Sequence, residues 1–137
     1  MLSFSRDRAQ VAYSEHDTLW PGPADGHRAQ PIPVPGLRPY FPRWSPDGRN
    51  LAFTGEGRDG RDSVYTVPAD HGSAKSVAPG AGITTDPDWS PGGSRIVLAR
   101  VLNGPQDNSV LALAELDRGQ LTDIPGSSNL HLPRSSQ

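Results

Sequence analysis

Serine and histidine side chains are the groups in this 137-residue chain that could carry hydrolytic or metal chemistry. A serine nucleophile needs a G-x-S-x-G elbow between a strand and a helix. The nearest segments, Gly93-Ser94 and Gly126-Ser127-Ser128, lack the second glycine. No pair of histidines has the H-x-x-x-H or H-E-x-x-H spacing of a zinc site; they are His16, His27, His71 and His131. We therefore predict no catalytic residue and no metal site.

The sequence also contains no motif typical of a bound cofactor. The chain contains neither a G-x-G-x-x-G segment nor a Walker loop. It has no cysteine, which excludes disulfides, thiolate catalysis, iron–sulfur clusters and cysteine-ligated zinc. We expect no cofactor.

Two tracts that align with each other, 39–43 and 84–88, hold the remaining candidates for a binding site. Asp86 and Asp88 carry oxygen ligands suited to a hard cation, but two carboxylates are too few for a site. Tyr40 and Arg43 stand in the other tract. We predict a binding surface at these four residues; the plainer alternative is a solvated strand end.

Composition narrows the possible partners. A formal net charge of -2 provides no basic field to neutralise phosphates, so we expect no nucleic acid partner. No apolar run approaches the roughly 20 residues needed to cross a bilayer, and the N-terminus lacks the apolar core of an export signal. These observations predict no membrane insertion and, by default, a cytoplasmic location. The 15 glycines and 15 prolines predict a folded chain rich in turns.

An internal repeat determines the expected architecture. Residues 44–54 read WSPDGRNLAFT, residues 89–99 read WSPGGSRIVLA, and residues 4–14, FSRDRAQVAYS, form a third copy. The repeated aromatic residues Phe4, Trp44 and Trp89 are predicted to pack between neighbouring repeats. A ligand-stacking platform is the alternative for them.

Each aromatic residue is followed by a predicted tight turn. Pro46 fixes φ at the first corner, Asp47 can accept hydrogen bonds from its own backbone, and Gly48 is free to take a positive φ. Pro91 and Gly93 occupy the same positions in the third copy. The first copy has Arg8 where glycine is expected, so a positive φ there would cost about 1 kcal/mol.

Alternating apolar residues after each turn predict four short antiparallel strands per repeat. Such a sheet needs neighbours on both faces, which is the property of a propeller blade. We predict an all-β fold, a partial β-propeller of three four-stranded antiparallel blades in a single segment, 1–137. The predicted bounds are 1–38 for blade one, 39–82 for blade two, 83–126 for blade three and 127–137 for the truncated start of a fourth repeat. The tract 84–88 would then enter an innermost strand, which places the predicted binding surface at the channel mouth.

The W-S-P-D-G turn followed by N-L-A-F resembles the WD-like propeller repeat of TolB-type proteins, which is also found in tricorn-type and prolyl-oligopeptidase-like peptidases. The resemblance extends over about residues 4–122. It implies a bacterial, non-enzymatic module that binds a protein or peptide, and it favours the envelope or periplasm as location. The alternatives are the propeller portion of a larger serine peptidase-like hydrolase, or a truncated fragment without independent function.

Three blades leave two apolar sheet faces uncovered, because closed propellers usually have about 4 to 8 blades. One hypothesis is a homodimer that completes a six-bladed ring, with the tail LPRSSQ as a closing strand. A fragment of a larger propeller would leave the same faces open.

Overall fold

A computed structural model describes residues 2–25, 30–70, 72–102 and 109–127. His27, His71, His131 and the tail LPRSSQ lie outside these residues, as does most of the segment 127–137. The described residues form twelve strands and no helix. They therefore contain no helix long and apolar enough to span a membrane.

The strands fall into three groups along the chain. Blade one consists of β1 (Leu2–Phe4), β2 (Gln10–Glu15), β3 (Thr18–Pro23) and β4 (Ile32–Pro33). Blade two consists of β5 (Arg38–Trp44), β6 (Asn50–Glu56), β7 (Asp62–Pro68) and β8 (Lys75–Ser76). Blade three consists of β9 (Thr84–Trp89), β10 (Arg95–Val101), β11 (Ser109–Glu115) and β12 (Gln120–Asp123).

In every blade the strands are hydrogen-bonded in chain order, and each pair is antiparallel. The predicted fold class, three four-stranded antiparallel blades, is confirmed. The exact blade bounds stay predictions, although β5 already begins at Arg38.

The turn after each aromatic residue is built from the same hydrogen bonds. In blade two, the Asp47 carboxylate accepts from the Ser45 hydroxyl at 2.6 Å and from the Arg49 backbone N–H at 3.0 Å. The Ser45 hydroxyl oxygen in turn accepts from the Asn50 N–H at 3.0 Å. Gly48 has a φ of 72°. These side chains hold the β5–β6 hairpin in place, as the sequence predicted for Asp47 and Gly48.

The hairpins of blades one and three each lack one of the residues that build this turn in blade two. In blade one Asp7 repeats the role of Asp47, but Arg8 takes a φ of 61° at the glycine position. In blade three Gly92 stands at the aspartate position. The hydroxyl of Ser90 still accepts from the Arg95 N–H, at 3.2 Å. Each of these two hairpins is therefore weaker than that of blade two in one respect.

The core lies between blades and joins two different kinds of sheet face. We call the face that bears the first-strand aromatic residue the leading face of a blade, and the opposite face its trailing face. The first core cluster joins the leading face of blade two to the trailing face of blade one; its buried members are Ala12, Leu19, Ile32, Val34, Trp44, Leu51, Phe53 and Val67. The second joins blade three to blade two in the same way; its buried members are Ala52, Val64, Val77, Ile96, Leu98, Ala112 and Ala114. The leading face of each later blade therefore packs on the trailing face of the blade before it.

Stability in acid should depend on the turn aspartates. The hydroxyl of Ser45 and then the Arg49 N–H hold the pKa of Asp47 below its ordinary value of 3.8. A carboxylate whose pKa is lowered by folding stabilises the protein above its unfolded pKa, and the stabilisation is lost as the pH falls through the folded pKa. We expect Asp47→Asn to lower the melting temperature at pH 7, and the difference from wild type to shrink below about pH 4.

Thermal melts between pH 2.5 and pH 7 measure this effect. Asp117→Asn, in another exposed turn, controls for the loss of a charge. A gap between Asp47→Asn and wild type that stays constant over the whole range would contradict the account.

Candidate functional site

A groove of about 440 Å³ runs across all three blades where their first strands end. Because the repeat places the same positions side by side, its lining consists of the aromatic residues, the residues just before them and the turns just after them. The lining residues are Ser3, Phe4, Arg6, Arg43, Trp44, Ser45, Pro46, Asp88, Trp89, Ser90 and Pro91. Two predicted binding residues, Arg43 and Asp88, thus meet five of the predicted structural positions in one groove: Phe4, Trp44, Pro46, Trp89 and Pro91.

Two indole hydrogen bonds join the blades along the floor of this groove. Trp44 Nε1 donates to the backbone oxygen of Ser3 at 3.1 Å, and Trp89 Nε1 donates to the backbone oxygen of Arg43 at 3.0 Å. In both cases the acceptor immediately precedes the aromatic residue of the preceding blade. Trp44 is buried with 8% exposure, and Trp89 is half-buried. The tryptophans therefore fix neighbouring blades through packing and one directed hydrogen bond each.

Phe4 is the first-strand aromatic residue of blade one. It is 48% exposed, because it stands on the leading face of blade one and the described residues contain no blade before it. The Arg8 guanidinium carbon lies 5.1 Å from the centre of its ring, within the range of a cation–π contact. Phe4 therefore forms an exposed apolar end of the groove.

The walls of the groove carry exposed charges of both signs. Arg6 and Arg43 contribute two guanidinium groups, and Asp88 contributes one carboxylate. The balance is an excess of positive charge over an aromatic floor. Such a surface is suited to binding an extended chain with acidic side chains.

The four residues predicted to share a channel mouth are divided between two places. Two of the three first strands contain a β-bulge, between Tyr40 and Arg43 in β5 and opposite residues 97–99 in β9. Asp88 and Arg43 lie after the bulge and line the groove. Tyr40 lies before the bulge and Asp86 lies within it, and neither lines the groove.

Both bulges contain a non-glycine residue in the left-handed region, Phe41 with a φ of 55° and Asp86 with a φ of 56°. They occupy equivalent positions of the repeat and are each followed by proline. Bulges in strands commonly redirect side chains near functional sites. Here the bulge turns the second half of the strand, with Arg43 or Asp88, towards the groove.

Tyr40 belongs to a separate polar cluster before the bulge. Burial raises the pKa of its phenol well above the ordinary value, and a hydrogen bond with Asp62 adds to the shift. The phenol therefore stays protonated at neutral pH. One carboxylate oxygen of Asp62, Oδ1, is buried and has no hydrogen-bond partner among the described residues. No motif in the sequence indicates this contact between Tyr40 and Asp62.

The serines considered as nucleophiles have other positions. Ser127 is buried, and its hydroxyl donates to the backbone oxygen of Ile124 at 2.5 Å and accepts from the Leu111 N–H at 3.1 Å. Ser94 is exposed in the β9–β10 turn. In the described part of the chain, no group of three or more His, Cys, Asp or Glu residues could hold a metal ion.

Comparison with known proteins places these repeats among propeller proteins. The chain is 31% identical over 116 residues to the tricorn protease homolog 1 of Streptomyces coelicolor, an alignment that covers 84% of this chain and 11% of that protein. It is 32% identical over 106 residues to the Tol-Pal system protein TolB of Alcanivorax borkumensis, covering 74% of this chain and 24% of that protein. The chain thus spans less than a quarter of the length of each.

The fold agrees with that of solved propeller proteins. The crystal structure of TolB from Acinetobacter baumannii superposes with a TM-score of 0.69 at 17% sequence identity, covering 96% of this chain and 32% of that one. No model of a protein family matches the sequence. The resemblance predicted from the W-S-P repeat is confirmed: the chain consists of three propeller blades, and its homologues are TolB and tricorn- or peptidase-type β-propeller proteins.

Proposed function

We propose that the chain is a non-enzymatic module that binds a protein or peptide along the three-blade groove. The observation that carries the proposal is the continuity of this groove, since equivalent residues of three successive repeats line a single space of about 440 Å³. A concave surface that crosses several repeats is the usual binding feature of repeat proteins. The relation to TolB supports a protein partner, without identifying it.

The lining favours an extended ligand with acidic side chains. Arg6 and Arg43 can form charge-assisted hydrogen bonds with carboxylates, and the half-buried ring of Trp89 offers apolar contact area. Asp88 repels a ligand carboxylate at its own end of the groove, which helps to define the direction in which the ligand binds.

A charge reversal at Arg43 tests this site. The probe is a fluorescent ten-residue peptide in which glutamate alternates with apolar residues, and its glutamine counterpart measures the contribution of charge. We expect Arg43→Glu to weaken binding of the glutamate peptide roughly 10-fold or more, because one attraction becomes a repulsion. Fluorescence anisotropy gives the dissociation constants.

Arg49→Glu is the matched control, because Arg49 is exposed in the same hairpin but does not line the groove. It should change the affinity less than twofold to threefold, through long-range charge alone. Equal losses in both variants, or equal affinity for the glutamate and glutamine peptides, would reject the groove as the binding site.

A second candidate function is the propeller portion of a larger peptidase. The relation to a tricorn protease homolog and to the uncharacterized peptidase YuxL of Bacillus subtilis favours it. In that case the catalytic residues would lie outside these 137 residues. The proposed groove would then receive a peptide for another domain.

Under either function we expect the purified chain itself to hydrolyse no peptide or ester reporter above background. The buried hydroxyl of Ser127 is already engaged with backbone groups, and Ser94 lies in an exposed turn. A reporter assay before and after repurification measures this. Activity that persists on repurification and disappears in Ser94→Ala or Ser127→Ala would show that the chain is an enzyme.

A second copy of the chain is another proposed partner. Two copies with three blades each would complete a six-bladed ring, a size within the usual range. Closure about a two-fold axis would leave neither outer blade without a neighbour.

A further inference from the structure

The leading face of blade one is an exposed aromatic surface. Phe4 is 48% exposed and Tyr13 is 37% exposed. Tyr13 stacks on Trp20, its partner across β2 and β3, with 6.3 Å between ring centres. A contiguous exposed apolar face commonly marks an interaction surface.

Blade two shows how the same face is covered within the chain. Phe53 and Tyr65 of blade two form the same cross-strand stack, with 5.6 Å between ring centres. There Phe53 has 0% exposure, because the trailing face of blade one packs against it with small and branched apolar residues such as Leu19 and Val34. The complement of a leading face is therefore a trailing face.

The trailing face of blade three is the second face that has no neighbouring blade among the described residues, although Ala99 on it is only 2% exposed. Val97 pairs with Leu113 and Ala99 with Leu111, so these side chains lie on the face turned away from blade two. Val97, Leu111 and Leu113 are half-buried. In blade two the corresponding trailing face includes Ala52 and Val64, each with 0% exposure beneath Ile96 and Leu98 of blade three.

We propose that the leading face of blade one packs head to tail on the trailing face of blade three of a second copy, with Leu111 at the centre of the junction. The argument is continuity with the two interfaces within the chain, which join the same kinds of faces in the same order. The inference rests on the part of the proposed function that makes a second copy of the chain a partner. It shares one residue with the peptide groove, Phe4, which lines the end of the groove and would be covered in the dimer. A two-fold axis forms both junctions at once, so the assembly is closed.

This junction differs from those within the chain in one hydrogen bond. Trp44 and Trp89 each donate an indole N–H to the carbonyl preceding the aromatic residue of the blade before. The equivalent acceptor on blade three is the backbone oxygen of Asp88, whereas the equivalent donor position on blade one holds Phe4, which has no N–H. The copies therefore associate through packing alone, more weakly than the blades within a chain.

Phe4→Trp should supply the missing donor. Because both symmetric junctions gain a hydrogen bond, we expect the dissociation constant of the dimer to fall by roughly 5- to 150-fold. Leu111→Asp should have the opposite effect and yield a monomer, since it places a carboxylate in the apolar centre of each junction. Arg118→Asp, in the exposed β11–β12 turn, is the control for added negative charge.

Light scattering coupled to size exclusion, over a dilution series of each variant, measures association, and circular dichroism confirms that each variant is folded. A species of about twice 14.6 kDa that dissociates on dilution, tightens in Phe4→Trp and is absent in folded Leu111→Asp supports the proposal. A monomer in both wild type and Phe4→Trp, a dimer insensitive to both changes, or a series of growing oligomers overturns it. Peptide binding by monomeric Leu111→Asp tests the groove separately, so failure of the ring and failure of the groove are distinguishable.

Discussion

Trp44→Ala is expected to unfold the chain or leave it without fixed tertiary packing. Trp44 is 8% exposed and belongs to the core cluster between blades one and two. Removing a buried tryptophan side chain typically costs about 3 to 5 kcal/mol. The substitution also leaves the backbone oxygen of Ser3 without its indole donor in a buried position. This is a large share of the total stability of a small domain.

Urea unfolding followed by circular dichroism in dilute solution measures this loss. Phe4→Ala is the matched control, because it removes an aromatic side chain from the equivalent but exposed position of blade one. Its free energy of unfolding should stay within about 1 kcal/mol of wild type. A free energy of unfolding close to that of wild type for Trp44→Ala would mean that the indole is exposed and that the three repeats are aligned wrongly.

Phe53→Ala should have the second largest effect, a loss of about 3 to 5 kcal/mol in the free energy of unfolding. Phe53 has 0% exposure, and its ring stacks on Tyr65 at the centre of the interface between blades one and two. Phe53 lies in β6, which is hydrogen-bonded to β5 on one side and to β7 on the other. This pairing limits how far the backbone can move to fill the cavity that the substitution leaves.

Tyr13→Ala provides the comparison for Phe53→Ala. Tyr13 occupies the equivalent position of the repeat and makes the equivalent stack, but it is 37% exposed. Its substitution should cost no more than about 1 kcal/mol in the monomer. Similar losses in the two variants would show that blade one does not cover the leading face of blade two.

The blades could be predicted from the sequence because the information for them is local. Pro46, Asp47 and Gly48 determine a tight turn by their own backbone preferences and hydrogen bonds, and the following apolar alternation determines a strand. Repetition of this unit then predicted three sheets with one aromatic residue each. Exposure is not local, because it depends on a neighbouring blade: Trp44 packs on blade one and is 8% exposed, whereas Phe4, at the same position of the repeat, is 48% exposed.

The groove could not be predicted, because it depends on contacts between blades. The indole acceptors are backbone oxygens of Ser3 and Arg43, and a backbone acceptor has no sequence signature. The bulges likewise depend on positive φ values at Phe41 and Asp86. Phenylalanine has no local preference for this conformation, and aspartate has only a modest one. As a result, sequence analysis grouped Asp86 with Asp88, although Asp86 lies within the bulge and Asp88 lies after it.

The most direct test of the central claim, that a peptide binds along the groove, uses the 3 tryptophans of the chain as built-in probes. Their indole N–H signals can be followed by nitrogen-15 NMR while the glutamate-rich peptide is added. Trp44 and Trp89 line the groove, whereas Trp20 stacks on Tyr13 on the leading face of blade one. The account predicts that the signals of Trp44 and Trp89 shift with peptide concentration and that of Trp20 stays in place. Shifts confined to Trp20, or a spectrum that peptide leaves unchanged, would contradict it.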